Sequence, residues 1–122
     1  MTLYVELPHA IGVLSALGLH VRDIGLLSSA LARPSASMFG EEAYPQLEVK
    51  AAALMSSLGQ NHPLFDGNKR FSWVITLTFL ELNGVIIDMT VDDAFDLVLR
   101  TAHGQIELDE IAEAFLSHSR PL

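Results

Sequence analysis

A short polar stretch, Asn61 to Arg70, is followed directly by a run that is apolar on nearly every side, Phe71 to Leu80. A helix that is apolar all round belongs in a protein interior or in a membrane. This run is too short for a membrane span, which needs about 20 apolar residues. We therefore expect a polar loop closed by the N-terminus of a buried central helix, Asn68 to about Asn83, with Gly84 just beyond its end.

The start of that helix has the properties of an anion site. A helix N-terminus presents unpaired N–H groups and a positive partial charge, and Lys69 and Arg70 would lie in its first turn. Cations are unfavourable there unless an anion binds. Since phosphate often occupies such sites, we expect Gly67 to let the backbone approach a phosphate, Asn68 to donate an N–H, Lys69 to act as a point charge and Arg70 to bind with two hydrogen bonds.

Two further residues of the stretch suit phosphoryl or nucleotidyl transfer. His62 is the candidate general base, because imidazole titrates near neutrality. Asp66 offers a hard oxygen ligand for Mg²⁺, which typically takes one or two protein carboxylates together with phosphate oxygens. Two plainer roles stay open, a structural histidine at a turn for His62 and an N-cap of the helix for Asp66.

The same stretch resembles the Fic/Doc family signature His-Pro-Phe-x-(Asp/Glu)-Gly-Asn-(Gly/Lys)-Arg. The residues that match it are His62, Pro63, Asp66, Gly67, Asn68, Lys69 and Arg70. One position differs, because Leu64 stands where the signature has Phe, and Phe65 follows it. We expect Pro63 and Leu64 to position the loop, with Leu64 as its apolar anchor.

Apolar periodicity predicts helices in the rest of the chain. The expected helices run from Pro8 to about His20, from Asp23 to Arg33, and from Gln46 to Leu58, where Gly59 closes the helix. Another follows a cap at Thr90 or Asp92, with Phe95 facing inward. The last has Asp109 in its first turn and Leu116 facing inward. Met1 to Leu7 is a short strand or loose arm, and Val85 to Met89 a link. The predicted fold is a single all-α domain over residues 1–122, a bundle of about six helices around the central one. The resemblance, from about Gly25 to the C-terminus, implies the same.

A loop by composition, Ser35 to Pro45, separates the second and third helices. It carries Met38, Phe39 and Tyr44. In the family the matching region is a flap that holds the backbone of the target protein beside the site. The alternative is a loop that tucks these side chains onto the core, and the two interpretations are compatible.

Charge and composition limit the function and the location. The chain has 15 acidic and 7 Lys and Arg residues, a net charge of −8, which argues against extensive nucleic-acid contact. It has no cysteine, hence no disulfide. No basic residue precedes Arg22, so the apolar N-terminus does not have the pattern of a signal peptide. We expect a cytoplasmic protein that does not bind membranes.

The resemblance implies one of two reactions that use ATP and Mg²⁺. Fic proteins transfer AMP to a target hydroxyl and have Gly between the Asn and the Arg of the signature. Doc-type toxins have Lys there and phosphorylate elongation factor Tu, which inhibits translation. Lys69 favours the Doc-type kinase, whereas Gly67 is the choice typical of Fic proteins, so AMP transfer remains the alternative.

The resemblance also implies a partner. The autoinhibitory motif of the family is Ser/Thr-x-x-x-Glu-(Gly/Asn), and although Ser37 and Glu41 have its spacing, Glu42 follows instead of Gly or Asn. With no inhibitor in the same chain, we expect a separate small antitoxin whose helix lies across an apolar groove near the signature. An inactive antitoxin-binding module is the non-enzymatic alternative. A metal-dependent hydrolase is a weaker one, since it needs more ligands than this stretch provides.

Overall fold

The computed structural model describes residues 1–122 and contains six α-helices, one short 3₁₀ turn and two small antiparallel sheets. The helices are α1 (Leu7–Leu17), α2 (Ile24–Ala32), α3 (Leu47–Asn61), α4 (Asn68–Leu82), α5 (Val91–Ala102) and α6 (Leu108–Ser117). The strands are β1 (Ser37–Met38), β2 (Glu41–Glu42), β3 (Val85–Ile87) and β4 (Ser119–Pro121), and the 3₁₀ turn is Arg33–Ser35. The prediction of about six helices is confirmed, but the fold is predominantly helical rather than purely all-α. No helix has both the length and the apolar character needed to cross a bilayer.

The most deeply buried helix is α3, which corrects the expectation that the helix after the polar loop is the central one. Every residue from Lys50 to Gly59 is buried, and α3 packs against α2, α4, α5 and α6. Small side chains, Ala51 to Ala53 among them, allow neighbours to approach from several directions. In α4 one face is buried, including Phe71, whereas its other face is only half-buried.

Helix α3 also continues through Gly59, which we expected to end it. A Cβ at Gly59 would lie 3.4 Å from the Cα of Ala102 in α5. The missing side chain therefore permits the two helices to pack closely. The helix ends instead at Asn61, where His62 takes a left-handed conformation.

The second sheet joins two distant parts of the chain. Gly84, with φ 82°, turns the backbone after α4, and the expected link from Val85 forms β3, whose residues pair with β4 in the register Val85↔Pro121 and Ile87↔Ser119. This pairing ties the C-terminal end of the chain to the end of α4.

Two side chains predicted to face the core are exposed. Phe95 in α5 is 68% exposed, and Leu116 in α6 is also largely exposed. The positions that these helices bury are Leu97 and Thr101 in α5, and Ile111, Ala112 and Phe115 in α6. The core cluster nevertheless draws on all six helices and on Val5 of the N-terminal arm, which is irregular rather than a strand.

The β1–β2 hairpin is attached to α3 by two cations that the sequence does not mark as special. Arg33 donates hydrogen bonds to Tyr44 Oη (3.1 Å) and Ser57 Oγ (2.8 Å). Lys50 is only 1% exposed, and its Nζ donates to Glu42 Oε1 at 2.8 Å and to the Pro34 carbonyl at 3.1 Å. Glu42 belongs to β2, so the buried ammonium holds one strand of the hairpin against the helix.

Replacement of Lys50 by Met tests this attachment. We expect the free energy of unfolding to fall by about 1–3 kcal/mol, because the Pro34 carbonyl loses its buried donor. Arg100→Met is the matched control, since it breaks an exposed pair with Asp96 of 3.9 Å and should change stability by less than about 0.5 kcal/mol. Urea denaturation at neutral pH measures both, and equal stabilities of the two variants would contradict the role of Lys50.

The same pair predicts a pH dependence. Burial alone lowers the pKa of Lys50, but its contacts with Glu42 and Tyr4 outweigh burial and raise the pKa above the ordinary lysine value. The stabilisation is therefore complete below the pKa of an unfolded lysine, about 10.4, and is lost as the pH rises through the folded value. The difference in stability between the parent protein and Lys50→Met should accordingly shrink in strongly alkaline buffer.

Candidate active site

The polar loop joins the C-terminus of α3 to the N-terminus of α4, and it begins at a strained residue. His62 has φ 52° and ψ 59°, a left-handed conformation that is uncommon for a residue other than glycine. Its imidazole is exposed and makes no hydrogen bond within the protein, so the ring itself does not hold the turn. Such backbone strain persists only where the surrounding structure enforces it.

Backbone contacts with the segment before α2 fix the next part of the loop. The carbonyl of Pro63 accepts hydrogen bonds from the backbone N–H groups of Arg22 (2.8 Å) and Asp23 (3.0 Å). The N–H of Phe65 donates to the His20 carbonyl at 3.1 Å. Leu64 lies between these contacts and is 1% exposed, inside the core cluster. The loop is thus bound on both sides of a buried leucine.

The side chain of Asn68 closes the loop from the other end. Its Oδ1 accepts a hydrogen bond from the Leu64 N–H at 2.9 Å, and its Nδ2 donates to the Leu64 carbonyl at 3.1 Å. The amide therefore acts largely inside the protein. What Asn68 offers a ligand most directly is its backbone N–H, at the first position of α4.

Gly67 directly precedes α4, in a backbone conformation and a space that only glycine fits without strain. It has φ 78°, and a Cβ there would lie 2.7 Å from Leu19 Cδ2. No side chain caps the helix at this residue. The backbone N–H groups of Asn68, Lys69 and Arg70 consequently have no acceptor within the protein.

The side chains of the first turn of α4 reinforce this free helix end. Lys69 and Arg70 are both exposed, and neither forms a salt bridge. A positive helix end that carries two unpaired cations attracts an anion with several acceptor oxygens. Its geometry suits the phosphate binding that the sequence predicts.

Asp66 lies next to this turn and is exposed. Its Oδ1 accepts a hydrogen bond from the N–H of Gly67 at 2.8 Å, so it does not cap the second or third N–H of α4. Its other oxygen has no partner in the protein. Nowhere do three or more His, Asp or Glu side chains converge as a metal cluster. A single free carboxylate fits Mg²⁺, which obtains its remaining ligands from phosphates and water, and does not fit a metal held by protein groups alone.

Several aromatic or apolar side chains of the polar loop and of the hairpin are exposed rather than packed. Phe39 at the tip of the β1–β2 hairpin is 98% exposed, Met38 beside it is also exposed, and Phe65 is 74% exposed. Tyr44 differs, because it is half-buried and bound to Arg33. Of the two interpretations of this segment, packing onto the core does not apply to the hairpin tip, and Tyr44 is held by Arg33 rather than by the core cluster.

An apolar groove of about 530 Å³ runs between α4 and α5. Lys69 and Arg70 are among its lining residues, and the apolar part of the lining consists of Trp73, Leu77, Ile87, Met89, Val91, Ala94, Phe95, Val98 and Leu99. The exposure of Phe95 is explained by this groove. Sequence periodicity placed Phe95 inward, because a groove wall and a core face have the same apolar pattern. Trp73 is half-buried, and it both packs against the core cluster and lines the groove.

Comparison with known proteins identifies the relatives of this architecture. Residues 2–80 match the model of the Fic/DOC family. The Toxin Doc of Mycolicibacterium smegmatis (strain ATCC 700084 / mc(2)155) is 52% identical over 96 residues, which are 77% of this chain and 74% of that protein. The sequence resemblance extended from about Gly25 to the C-terminus. The family match instead begins at residue 2 and ends at residue 80, within α4.

Two glycines with similar backbones allow the role of Gly67 to be measured. Gly67 and Gly84 have φ values of 78° and 82°, but a Cβ at Gly84 meets nothing within 4 Å. Alanine at either position should cost about 1–2 kcal/mol of stability, because the left-handed region disfavours a Cβ. Gly67→Ala should lose about 1 kcal/mol more, since Leu19 must move.

The two variants should also differ in ligand binding. Gly67→Ala should weaken nucleotide binding, measured by calorimetry, because the first turn of α4 shifts with its preceding residue. Gly84→Ala lies at the opposite end of α4 and should leave nucleotide binding as in the parent. Indistinguishable stability and affinity of the two variants would refute the account of Gly67.

Proposed function

Since the chain belongs to the Fic/Doc family of transferases, we propose that it is a Doc-type toxin that transfers the γ-phosphate of ATP to a hydroxyl group of a target protein. The observation that carries this proposal is the helix end formed by Gly67, Lys69 and Arg70, which has free N–H groups and unpaired cations and is joined to the exposed His62 by one short loop. Residues 1–122 act as one domain in this proposal, in keeping with the single core cluster that draws on all six helices.

In the proposed reaction His62 accepts the proton of the target hydroxyl as its oxygen attacks the γ-phosphorus. The new oxygen–phosphorus bond forms while the bond from the γ-phosphorus to the bridging oxygen breaks, and ADP leaves. The N–H groups of the first turn of α4, with Lys69 and Arg70, stabilise the negative charge on the phosphate oxygens. Mg²⁺, held through Asp66 and the phosphates, would supply further charge neutralisation.

Lys69 is the residue that favours kinase activity over AMP transfer. The family resemblance relates Gly at this position to AMP transfer and Lys to phosphorylation. An ammonium group in the first turn of α4 adds bulk and charge beside the phosphates, which favours binding of ATP with its γ-phosphate towards His62. AMP transfer is the second candidate, supported by Gly67.

The hairpin is the proposed docking element for the target, which the resemblance implies is elongation factor Tu. Met38 and Phe39 are exposed at its tip, whereas Arg33 and Lys50 fix its base to α3. A rigid base with an apolar tip suits a flap that holds a target segment beside a fixed site.

Transfer of label from ATP to purified elongation factor Tu tests the reaction. We expect label from the γ-phosphate to appear on the target, label from the α-phosphate not to appear, and the His62→Ala variant to lose nearly all transfer. Lys69→Gly should reduce transfer of the γ-phosphate while leaving the protein folded, because Lys69 is exposed.

Each alternative predicts a different result in the same assay. Transfer of the α-phosphate label by the parent protein would show AMP transfer and would make Gly67 the better guide. No transfer of either label by a folded protein freed of partners, combined with ATP binding that survives His62→Ala, would favour the inactive antitoxin-binding module.

The groove between α4 and α5 is the proposed site for a helix of a small antitoxin. Its lining is mainly apolar, and Lys69 and Arg70 also contribute to it. A helix seated there would contact the phosphate-binding cations from the side and could thereby block ATP. The relative's name, Toxin Doc, supports the expectation of an antitoxin.

Capture of partners from a lysate of the native host tests the groove. Phe95→Asp, which places a charge in the groove, should abolish recovery of a small protein that the parent chain captures. Leu116→Asp is the matched control, because Leu116 is exposed and is not part of the groove lining. The only tryptophan of the chain, Trp73, lines the groove, so its fluorescence should change on binding. Equal capture by both variants would exclude the groove as the site.

A further inference from the structure

The segment from His20 to Asp23, between α1 and α2, contacts the polar loop through side chain as well as backbone. The backbone contacts involve Pro63 and Phe65, and Val21 forms an isolated antiparallel bridge with Leu64. These contacts begin at Pro63, one residue after His62. None of them involves the backbone of His62, the candidate base, which is held by a different group.

That group is the guanidinium of Arg22. Its Nε donates a hydrogen bond to the His62 carbonyl at 3.0 Å, and its Nη2 donates to the same oxygen. Nη2 also lies 3.5 Å from the carbonyl of Asn61. The guanidinium thus grips the chain at the point where α3 ends and the left-handed residue begins.

A cation is favourable at the C-terminal end of α3. The last carbonyls of a helix lack partners within the helix and carry a negative partial charge. At His62 the backbone leaves the helix in a conformation that is strained for a residue with a side chain. A planar guanidinium that offers two N–H groups to one carbonyl both satisfies the oxygen and restricts rotation of its peptide group.

We propose that Arg22 is a positioning residue for His62, holding the backbone of the histidine in the left-handed conformation that directs its imidazole towards the bound phosphate. The inference rests on the proposed function, since it takes His62 as the base. The direction of the Cα–Cβ bond follows from the backbone dihedral angles, so an arginine that touches only the carbonyl of His62 controls where the ring can reach. A displacement of about 1 Å at a reacting group can reduce the rate about 100-fold.

A purely structural role of Arg22 would predict a general loss of folded protein when its side chain is truncated, whereas its contacts predict a local change. Arg22 is exposed, and its backbone N–H binds Pro63 whatever its side chain. Truncation of the side chain therefore leaves Leu64 buried and the loop attached. The change should be confined to the peptide group of His62 rather than spread through the fold.

Steady-state kinetics of Arg22→Ala tests the proposal with Arg120→Ala as the matched control. Arg120 is also an exposed arginine, but it pairs with Asp88 at the β3–β4 sheet. For Arg22→Ala we expect kcat to fall by about 10- to 100-fold, while the KM for ATP changes by less than about threefold because the phosphate contacts remain. Arg22→Lys should recover part of the loss, since an ammonium lacks the planar fork but keeps the charge.

A measurement that does not depend on activity separates this inference from the proposed function. The ¹³Cα chemical shift of His62 reports its backbone dihedral angles, and it should move in Arg22→Ala and stay constant in Arg120→Ala. If the parent protein transfers no label, the proposed function fails, and this shift still decides whether Arg22 fixes the backbone of His62.

Three results would overturn the inference. The first is an unchanged ¹³Cα shift of His62 in Arg22→Ala. The second is an unchanged kcat in that variant of an active parent. The third is a loss of activity that only follows a loss of folded protein, detected as a fall in melting temperature well beyond that of Arg120→Ala. A specific loss of kcat, with partial recovery by lysine and a moved shift, supports it.

Discussion

The reversal of the chain between α3 and α4 is the constraint on which the site depends. Two helices packed side by side leave only a short loop for the turn, and its ends at His62 and Gly67 both take left-handed backbones. The turn places a helix C-terminus beside a helix N-terminus. The exposed carbonyls of the first receive a donor from the protein itself, through Arg22. The free N–H groups of the second receive no acceptor, so this end remains available for an anion.

The cations of the chain show the same contrast between groups paired within the protein and groups left free. The chain has only seven Lys and Arg residues and a net charge of −8, yet five of these cations contact the polar loop, lie in the first turn of α4 or hold the hairpin. Arg33 and Lys50 secure the hairpin, Arg22 secures the loop, and Lys69 and Arg70 stay unpaired at the helix end. Only Arg100 and Arg120 form exposed pairs elsewhere. An acidic chain can therefore attract a nucleotide, because the local field at one helix end differs in sign from the overall charge.

Sequence patterns predicted the helices and the polar loop well, because both depend on local spacing of apolar residues and glycines. They failed where contacts are distant. The pairing of β3 with β4 joins residues that lie far apart along the chain, and no local pattern marks it. The burial of Lys50 depends on Glu42 and Pro34 arriving from another segment. No local pattern marks the contact of Arg22 either, since its partner carbonyl belongs to a residue 40 positions away.

Under the proposed function, helix α4 connects catalysis with inhibition. One face of this helix packs in the core, its first turn carries free N–H groups and two unpaired cations, and its remaining face, with Trp73 and Leu77, forms one wall of the groove. Because Lys69 and Arg70 belong to both the first turn and the groove lining, a partner seated in the groove meets the cations that the phosphates need. Binding of the partner in the groove and binding of the phosphates are then mutually unfavourable, and by linkage each weakens the affinity for the other by the same factor. Under the proposed function, an inhibitor in a separate chain could control the site in this way without covering His62.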